Sequence, residues 1–402
     1  MTPVSVSVVI VSRHRPEELR RCVRALEFQT CPGFEIVLVT DSDTEENLAK
    51  LVPLGRLKHT VCSEANISKA RNIGVGLAGG DIVAFIDDDA IAEPTWLERL
   101  IAPFSDPKVA ASGGFVRGRN GIGFQWRAEE ISEDGVSRPI EVDGTTIPTV
   151  DPCKGIKTQG TNCAFRHEVL CDLHGFDENY RFYLDETDLN LRIGRAGLLT
   201  AIVPGAEVQH GYATSPLRGK DRRPKSLFEI GASKAYFSKK FGRPGSDLQA
   251  FREHQWLRLD AALVKGQLEP RDVRLLRADL EAGIAGGQRR DPIESMEWPN
   301  RVPLKLFLTN KKSPSHVFIS GRWLTRRRTF ARAKRMAENG TPCTAIILSP
   351  TALFHRRWFH QDGFWIHSGG IFGKSTRTDP LWSWYRHENR VRVEQELLEK
   401  TR

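Results

Sequence analysis

Ile82-Val83-Ala84-Phe85-Ile86-Asp87-Asp88-Asp89 decides the fold. Five apolar residues run straight into three carboxylates, and Gly79-Gly80-Asp81 stands before them. An apolar run this short, bounded by a turn signal, reads as a buried strand ending in an acidic turn. Working outward, the same shape recurs upstream. Val6-Ser7-Val8-Val9-Ile10-Val11 is rich in β-branched residues, and Phe34-Glu35-Ile36-Val37-Leu38-Val39 leads to Asp41-Ser42-Asp43. A further short strand ends near Val61. Helices fill the gaps. Arg15-Pro16-Glu17-Glu18 opens one, with proline and acids in its first turn and an apolar stripe of Leu19, Cys22, Val23 and Leu26. Asn66 caps another, whose stripe is Ile67, Ala70, Ile73, Gly74, Leu77 and Ala78. Alternating strands and helices with buried strands predict an α/β fold with a mostly parallel central sheet. Ligands in such sheets bind outside the strands' carboxyl ends, where Asp41, Asp43 and the triplet stand. No GxGxxG follows the first strand, which disfavours a nicotinamide or flavin enzyme.

Downstream the pattern loosens. Residues 117–158 are polar and turn-rich. A strand is expected at 162–165, helices at 166–173 and about 186–196, and a strand at 199–203. Residues 215–300 read as largely helical and basic. From 304 a smaller α/β pattern appears, with strands at 317–320 and 345–348 around a helix Arg326–Glu338, and Asp362-Gly363 as a hairpin turn. Three domains are expected: 1–214, a nucleotide-binding domain; 215–300, a basic helical region; and 301–402, a small α/β domain rich in aromatic and basic residues.

The 402 residues are 40% hydrophobic and 27% charged, enough for a sizeable core. The apolar runs fall well short of the ~18 residues that span a bilayer, excluding an integral membrane protein. Met1-Thr2-Pro3-Val4 lacks a basic segment, so the first apolar stretch reads as a strand rather than a signal peptide. The seven scattered cysteines form no CxxC pair and resemble cytosolic packing residues. Charge is uneven. Residues 1–214 hold 22 Lys+Arg against 31 Asp+Glu, a balance of −9, whereas 215–402 hold 37 against 19, a balance of +18. An acidic half suits a site for a cation; a basic half suits an anionic partner or is a solvated surface.

Three adjacent carboxylates at a buried strand's end repel one another, and a divalent cation relieves that repulsion. A second acidic group, Asp185-Glu186-Thr187-Asp188, precedes an apolar helix stripe. Simple capping produces such acids too. Phe182-Tyr183-Leu184 just upstream supplies an apolar wall that would raise a carboxylate's pKa and make it a usable general base. Arg71 and Asn72 sit together on an otherwise apolar helix, and His210 ends a strand-like segment. Both have ordinary structural readings. Ser368-Gly369-Gly370-Ile371-Phe372-Gly373-Lys374-Ser375 nearly matches a phosphate-cradling GxxxxGKS loop, but Ser368 replaces the first glycine and Pro380 breaks any following helix.

These pieces in this order resemble the family 2 glycosyltransferases of GT-A fold. The carriers are Val8-Val9-Ile10-Val11-Ser12-Arg13, Val39-Thr40-Asp41-Ser42-Asp43, Ala70-Arg71-Asn72-Ile73-Gly74, Ile86-Asp87-Asp88-Asp89, Gly160-Thr161-Asn162-Cys163-Ala164-Phe165, Asp185-Glu186-Thr187-Asp188-Leu189 and His210. The resemblance covers residues 4–212. It implies an inverting, metal-dependent transferase that moves a sugar from a nucleotide-diphosphate sugar to an acceptor hydroxyl, in surface polysaccharide or glycolipid synthesis. It implies that Asp41 contacts the nucleotide, with Ser12, Asp43 and Arg71 beside it. Asp89 would bind Mg2+ or Mn2+, Asp88 the ribose or the metal's surroundings, and His210 the metal or diphosphate. Asp185-Glu186 matches the family's "ED" pair with its residue types reversed, so Glu186 would be the base, with Asp185 and Asp188 as alternatives.

The expected partners are the nucleotide-sugar donor and a glycan or lipid-linked acceptor. The expected location is cytoplasmic, with peripheral attachment to the inner face of a membrane through the basic half. Two other readings stand beside this one. A nucleotidyltransferase would need a glycine-rich, basic N-terminal loop, which the chain lacks. A non-catalytic nucleic-acid or anionic-surface binder would use the nine aromatics of 354–385 interleaved with Arg, Lys and His, though the same mixture suits sugar stacking or a plain core. Nucleic acid is the disfavoured partner.

Overall fold

The computed structural model describes residues 4–402 except 49–51, 53, 150, 152, 215–216, 218, 220–222, 243–245, 294–297, 308 and 310–314. Parts of the expected helical region 215–300 therefore lie outside the described residues. The first four strands, β1 (Val6–Val11), β2 (Glu35–Thr40), β3 (Lys58–Val61) and β4 (Ile82–Ile86), lie parallel in the order β3-β2-β1-β4. Helices α1 (Pro16–Leu26), α2 (Ser42–Leu48) and α3 (Ile67–Leu77) connect them. The strands are apolar throughout because both faces are covered. Val8, Ile10, Leu38 and Ala84 pack with Leu19 and Leu26 of α1 on one side. Val9, Val37, Val83 and Phe85 pack with Val75 of α3 on the other. Asn66 caps α3 as expected, accepting from the Lys69 N–H at 3.1 Å.

The rest of the sheet is mixed. Past β4 come β5 (Ala90–Ala92), α4 (Trp96–Ile101), β6 (Val109–Arg117), β7 (Phe124–Trp126), β8 (Glu129–Ser132), β9 (Ser137–Pro139), β10 (Lys154–Lys157), β11 (Asn162–Arg166), α5 (His167–Asp172), α6 (Asp185–Arg195) and β12 (Leu199–His210). The order continues β4-β11-β6-β12-β5, with β7 paired to β6. β11 is antiparallel to both β4 and β6, while β6 and β12 are parallel. The parallel arrangement thus dominates the half from β3 to β4, and antiparallel pairing extends it. The last strand runs on to His210, well past the expected 203, through a register shift between Val203 and Val208. Asn162 closes that irregularity. Wholly buried, it donates to Phe115 O and Ala206 O at 2.9 and 2.8 Å and accepts from Trp96 Nε1 at 2.8 Å. β8, β9 and β10 form a small separate sheet.

Three helices follow: α7 (Phe228–Lys240), α8 (Ser246–Val264) and α9 (Pro270–Gln288). Leu227, Ile230, Leu276, Leu280 and Ile284 form their shared core. Residues near 301–307, expected in the C-terminal unit, return to the first sheet instead. Lys305 N donates to the buried Glu35 carboxylate at 2.7 Å, and Phe307 bridges Phe34. Beyond them β13 (Val317–Arg322), α10 (Arg326–Glu338), β14 (Cys343–Ser349), β15 (Arg356–Phe359), β16 (Trp365–Gly370) and α11 (His387–Glu399) form a four-stranded unit ordered β13-β14-β16-β15. β15 and β16 make the expected hairpin, with Gly363 at φ +88°. Its core contains Phe359, Phe364 and Trp365 and reaches Ala25 and Phe28 of the first domain. Part of the aromatic run is therefore core, whereas Trp382 and Trp384 are exposed. Ser368-Gly369-Gly370 ends β16 and no helix begins before His387, so the near-match to a phosphate loop has no structural support. No helix among the described residues is long and apolar enough to cross a membrane.

Candidate active site

The carboxyl ends of β1 and β4, the turn after β12 and the N-terminus of α3 surround a cleft of about 600 Å³. Ser12, Arg15, the three triplet aspartates, Phe182, His210 and Tyr212 line it. Backbone strain gathers around it. Of the described non-glycine residues, five have positive φ; His14, Tyr183, Leu184 and Tyr212 are four of them. Such conformations cost of order 1–3 kcal/mol each and persist where surrounding structure holds them.

The three aspartates separate by direction. Asp88 turns inward, accepting from Ser12 Oγ at 2.7 Å and from Arg15 at 2.9 Å. Burial pushes its carboxyl up to about 7 against the pull of Arg15, and the charge on Asp89 adds to the rise. Asp89 accepts from Ala213 N at 2.6 Å and lies 3.2 Å from His210 Nε2. Burial opposes its ionisation, but His210, the Ala213 N–H and Arg15 outweigh it and hold the group at about 2. Asp87, Asp89 and His210 offer ligand atoms within 4.8 Å of one another. Asp87 is thus the partner of Asp89 that sequence reasoning left unassigned. The three acids lie in the turn between β4 and β5, closed by Ala90 N donating to Asp87 O at 3.0 Å, so no strand periodicity in the sequence marked Asp87.

Arg71 is not beside Asp41. It is buried, contacts Asp185 directly, and lies 3.7 Å from Asp87, with its guanidinium over Phe85 and Phe176 at 5.9 and 5.3 Å. It therefore bridges the triplet and the acidic start of α6. Gly160 faces it with no side chain; a Cβ there would collide with the guanidinium. Asp185 and Glu186 are hydrogen-bonded to each other. Burial, then the charge on Glu186, drives the Asp185 carboxyl well above its usual range, only partly opposed by Arg71. Glu186 is held below its own range: burial opposes this, but the Asp185 hydrogen bond and Arg71 prevail. The two carboxyls interact, so they titrate as a pair rather than singly, with Arg71 facing both.

Asp188 does not join them. It is fully buried, 2.7 Å from Arg192, 2.6 Å from Lys240 and 3.2 Å from the Tyr180 hydroxyl. Facing the interior of α6 and α7, it has no access to an acceptor, which removes it from the alternatives for the base. Asp41 sits at the end of β2 and accepts from the N–H groups of His14 and Thr44 at 2.7 and 2.6 Å. Burial would raise its pKa, but these hydrogen bonds keep it low. Asp43 is exposed, 3.5 Å from the half-buried His14 ring, and does not line the cleft.

A second His-rich group, His355, His367 and Glu394, is buried in the C-terminal sheet. Arg390 at 3.0 Å and Arg357 at 3.8 Å already face Glu394. Two guanidiniums beside one carboxylate disfavour a further cation, so the cluster reads as internal packing.

Residues 7–173 match the family model described as glycosyl transferase family 2. A glucosyl-dolichyl phosphate glucuronosyltransferase of Haloferax volcanii is 31% identical over 191 residues, covering 44% of this chain and 56% of that protein. A pre-mycofactocin glycosyltransferase of Mycobacterium tuberculosis is 28% identical over 218 residues, covering 52% and 43%. The O-antigen biosynthesis protein RfbC of Myxococcus xanthus is 26% identical over 231 residues, 52% of this chain and 17% of that one. The chain thus spans about half or less of the length of these relatives. Among solved structures, GalNAc-T7 with UDP, GalNAc and Mn2+ aligns at 18% identity and a TM-score of 0.42, covering 62% and 54%. The matched stretch, residues 7–173, holds the strand-end acids and Arg71, and over it the chain is similar to glycosyl transferase family 2.

Proposed function

We propose that the chain is an inverting glycosyltransferase that moves a sugar from a nucleoside-diphosphate sugar to an acceptor hydroxyl, in the assembly of a surface polysaccharide or glycolipid. The observation that carries this is the joining of two acidic centres through one arginine: Asp87 with Asp89 and His210 on one side, Asp185 with Glu186 on the other. The first set fits a divalent cation, since two carboxylates and an imidazole converge within 4.8 Å. Its nitrogen ligand favours Mn2+ over the more strictly oxygen-seeking Mg2+. Bound there, the cation supplies neutralisation of the diphosphate leaving group. Glu186, whose carboxyl is held below its usual range beside Asp185 and Arg71, accepts the acceptor hydroxyl's proton as that oxygen attacks the anomeric carbon. Attack opposite the leaving group in one displacement inverts the centre. Asp88 holds the cleft's floor to Ser12 and Arg15, and Asp41 shapes the nucleotide end. The Haloferax relative's name speaks of a dolichyl phosphate-linked sugar, which supports a lipid-linked acceptor.

The test is calorimetric titration of UDP, GDP, dTDP and CMP with and without Mn2+, alongside turnover. Asp89→Ala should abolish the Mn2+-linked gain in nucleotide affinity. Glu186→Gln should spare binding and lower turnover by roughly 10²–10⁴-fold. Unchanged Mn2+-linked affinity in Asp89→Ala would overturn the reading.

A further inference from the structure

The exposed apolar side chains of the C-terminal unit gather at one end of its sheet. β13, β14 and β16 run parallel, with Arg322 beside Leu348 and Ser349 beside Gly370, so their carboxyl ends are level. β15 starts at that end too, Arg356 pairing with Ser368. Three connections therefore leave the sheet on the same side: Trp323–Thr325, 350–355 and 371–386. The described residues from 315 onward include eight exposed large hydrophobics, and seven of them lie in these connections. Trp323 and Leu324 stand on the first, Leu324 at 93% exposure. Leu353 and Phe354 stand on the second, and Leu381, Trp382 and Trp384 on the third.

Hydrogen bonds and ring contacts make these connections one surface. Phe372 N donates to Thr351 O at 3.1 Å, Ser383 N to Phe372 O at 3.1 Å, and His355 N to Lys374 O at 3.0 Å. Phe372 stacks on Trp384 with ring centres 5.1 Å apart, and Trp382 lies 5.4 Å from Trp384. Trp323 and Arg326 line a pocket together with Arg356, which brings the first connection to the other two. Charge gathers at the same end. Residues 322–328, 350–356 and 371–386 hold eight Lys+Arg and one acid, Asp379. Asp379 is turned back on its own loop, accepting from Ser375 N at 2.8 Å and Thr376 N at 3.1 Å. Exposed leucines and tryptophans amid basic side chains suit the headgroup layer of an anionic bilayer, which is apolar on one side and negatively charged on the other. We propose that this end of the C-terminal sheet docks the chain on an anionic lipid bilayer, its leucines and tryptophans among the headgroups and its arginines on lipid phosphates. A glycan would use the aromatic faces but gain little from the three leucines, and a second copy of the chain would bring the same positive charge.

The surface borders the cleft. Arg357 N donates to Asn120 O at 2.9 Å in the turn between β6 and β7. Arg119 of that turn donates to Tyr212 O at 3.2 Å, and Tyr212 lines the cleft. A lipid-linked acceptor in the bilayer would thus meet the chain next to the cleft. That consequence rests on the transferase reading; the docking does not.

The test is sedimentation of the full chain, without metal or nucleotide, with vesicles of phosphatidylcholine alone or containing about one third phosphatidylglycerol, at about 0.1 M and about 0.5 M salt. At the lower salt the wild type should partition about 10-fold more strongly to the anionic vesicles, and the higher salt should remove most of that preference. Leu324→Ser with Leu381→Ser, and separately Arg327→Glu with Arg328→Glu, should each lower anionic capture about 10-fold. All four positions are exposed, so urea denaturation of these variants should match the wild type. Arg271→Glu with Arg274→Glu on α9 makes the same change in net charge outside these connections and should keep capture within about twofold. No capture of the wild type by anionic vesicles at the lower salt, equal capture by neutral vesicles, or an equal loss in the α9 variant would overturn the docking surface. Retention on immobilised dextran, or concentration-dependent dimerisation, that Trp382→Ser with Trp384→Ser abolishes would overturn it as well if vesicles capture nothing. Capture by anionic vesicles in a chain that binds no nucleoside diphosphate would uphold the docking and remove the transferase reading.

Discussion

Replacing Arg71 with methionine isolates what joins the two acidic centres. The side chain is 4% exposed and neutralises Asp185 and Asp87, with Glu186 close enough to feel its charge. Methionine keeps the length and the contact with Phe85 and Phe176 but leaves buried carboxylates without their cation. Removing one partner of a buried ion pair costs about 3–5 kcal/mol, because the remaining charge is stranded. The penalty has a defined pH dependence. Asp87 and Asp185 already titrate above their ordinary values in the folded chain, chiefly through burial. Without Arg71 those folded-state values climb further. A carboxyl raised above its unfolded value destabilises the fold at pH above both values and ceases to do so below the unfolded value. Each unit of additional rise is worth about 1.4 kcal/mol. Arg71→Met should therefore lose about 3–5 kcal/mol at pH 8 and markedly less at pH 5, measured by urea denaturation of both proteins at each pH. Arg71→Lys, which keeps the charge and loses the fork, should fall between. A loss below about 1 kcal/mol at pH 8, or an equal loss at both pH values, would refute the bridging role assigned to Arg71.

Asp188→Asn should cost about 3 kcal/mol by loosening Arg192 and Lys240, read by thermal denaturation, yet leave turnover of the folded fraction within about threefold; a collapse of turnover with unchanged stability would restore Asp188 as a base. The C-terminal sheet should weaken in acid. Burial holds His355 at about 4 and His367 well below its ordinary value, with Arg357 and Arg390 opposing protonation and Glu394 too fully engaged to prevent it. Depressed histidines contribute stability above their unfolded value of about 6.5 and lose it as pH falls towards the folded value, so hydrogen-exchange protection factors, corrected for the intrinsic rate at each pH, should fall in Cys343–Ser349 and Trp365–Gly370 between about pH 6.5 and 4. Protection factors in β1, on the other sheet, should change less over that window.

The first hundred residues were legible because burial on both faces forces continuous apolar strands, and turn chemistry separates them. Val6–Val11 and Ile82–Ile86 are the strands the apolar runs implied, to the residue. Antiparallel β11 between β4 and β6 was not legible as such: Asn162–Phe165 reads as a strand, but nothing local fixes its direction. The site was half legible. Strand ends announce where carboxylates gather, but not which way each one turns. That is why Asp87 was missed, Arg71 was placed beside the wrong aspartate, and Asp188 was kept as a base although the helix turns it inward. Three residues beyond Asp185 on a 3.6-residue pitch bring Asp188 about 300° round the axis, near the same face, so pitch alone did not exclude it. Lys240, 52 residues downstream on α7, is what captures it.

Charge counting treated the basic half as a separate surface, and the contacts give it a closer relation to the chemistry. Thr95 Oγ1 donates to Thr401 O at 2.8 Å, and Arg402 pairs with Glu93 at 2.7 Å, both beside β5 just after the triplet. Phe28 of α1 packs edge-on against Trp365 of β16 with ring centres 5.8 Å apart. Gln209 joins the strand of His210 to Arg357. These ties enter the first domain at both sequence segments that supply Asp87, Asp89 and His210, β4–β5 and the end of β12. Two segments far apart in sequence must hold their ends within a few ångströms for Asp87, Asp89 and His210 to converge, and β12 reaches that point only after its own irregularity at Val203–Val208. A sheet packed against both segments fixes their spacing by contact rather than by charge. The basic half thus does more than present a charged surface: its buried contacts hold in place the strands that carry Asp87, Asp89 and His210.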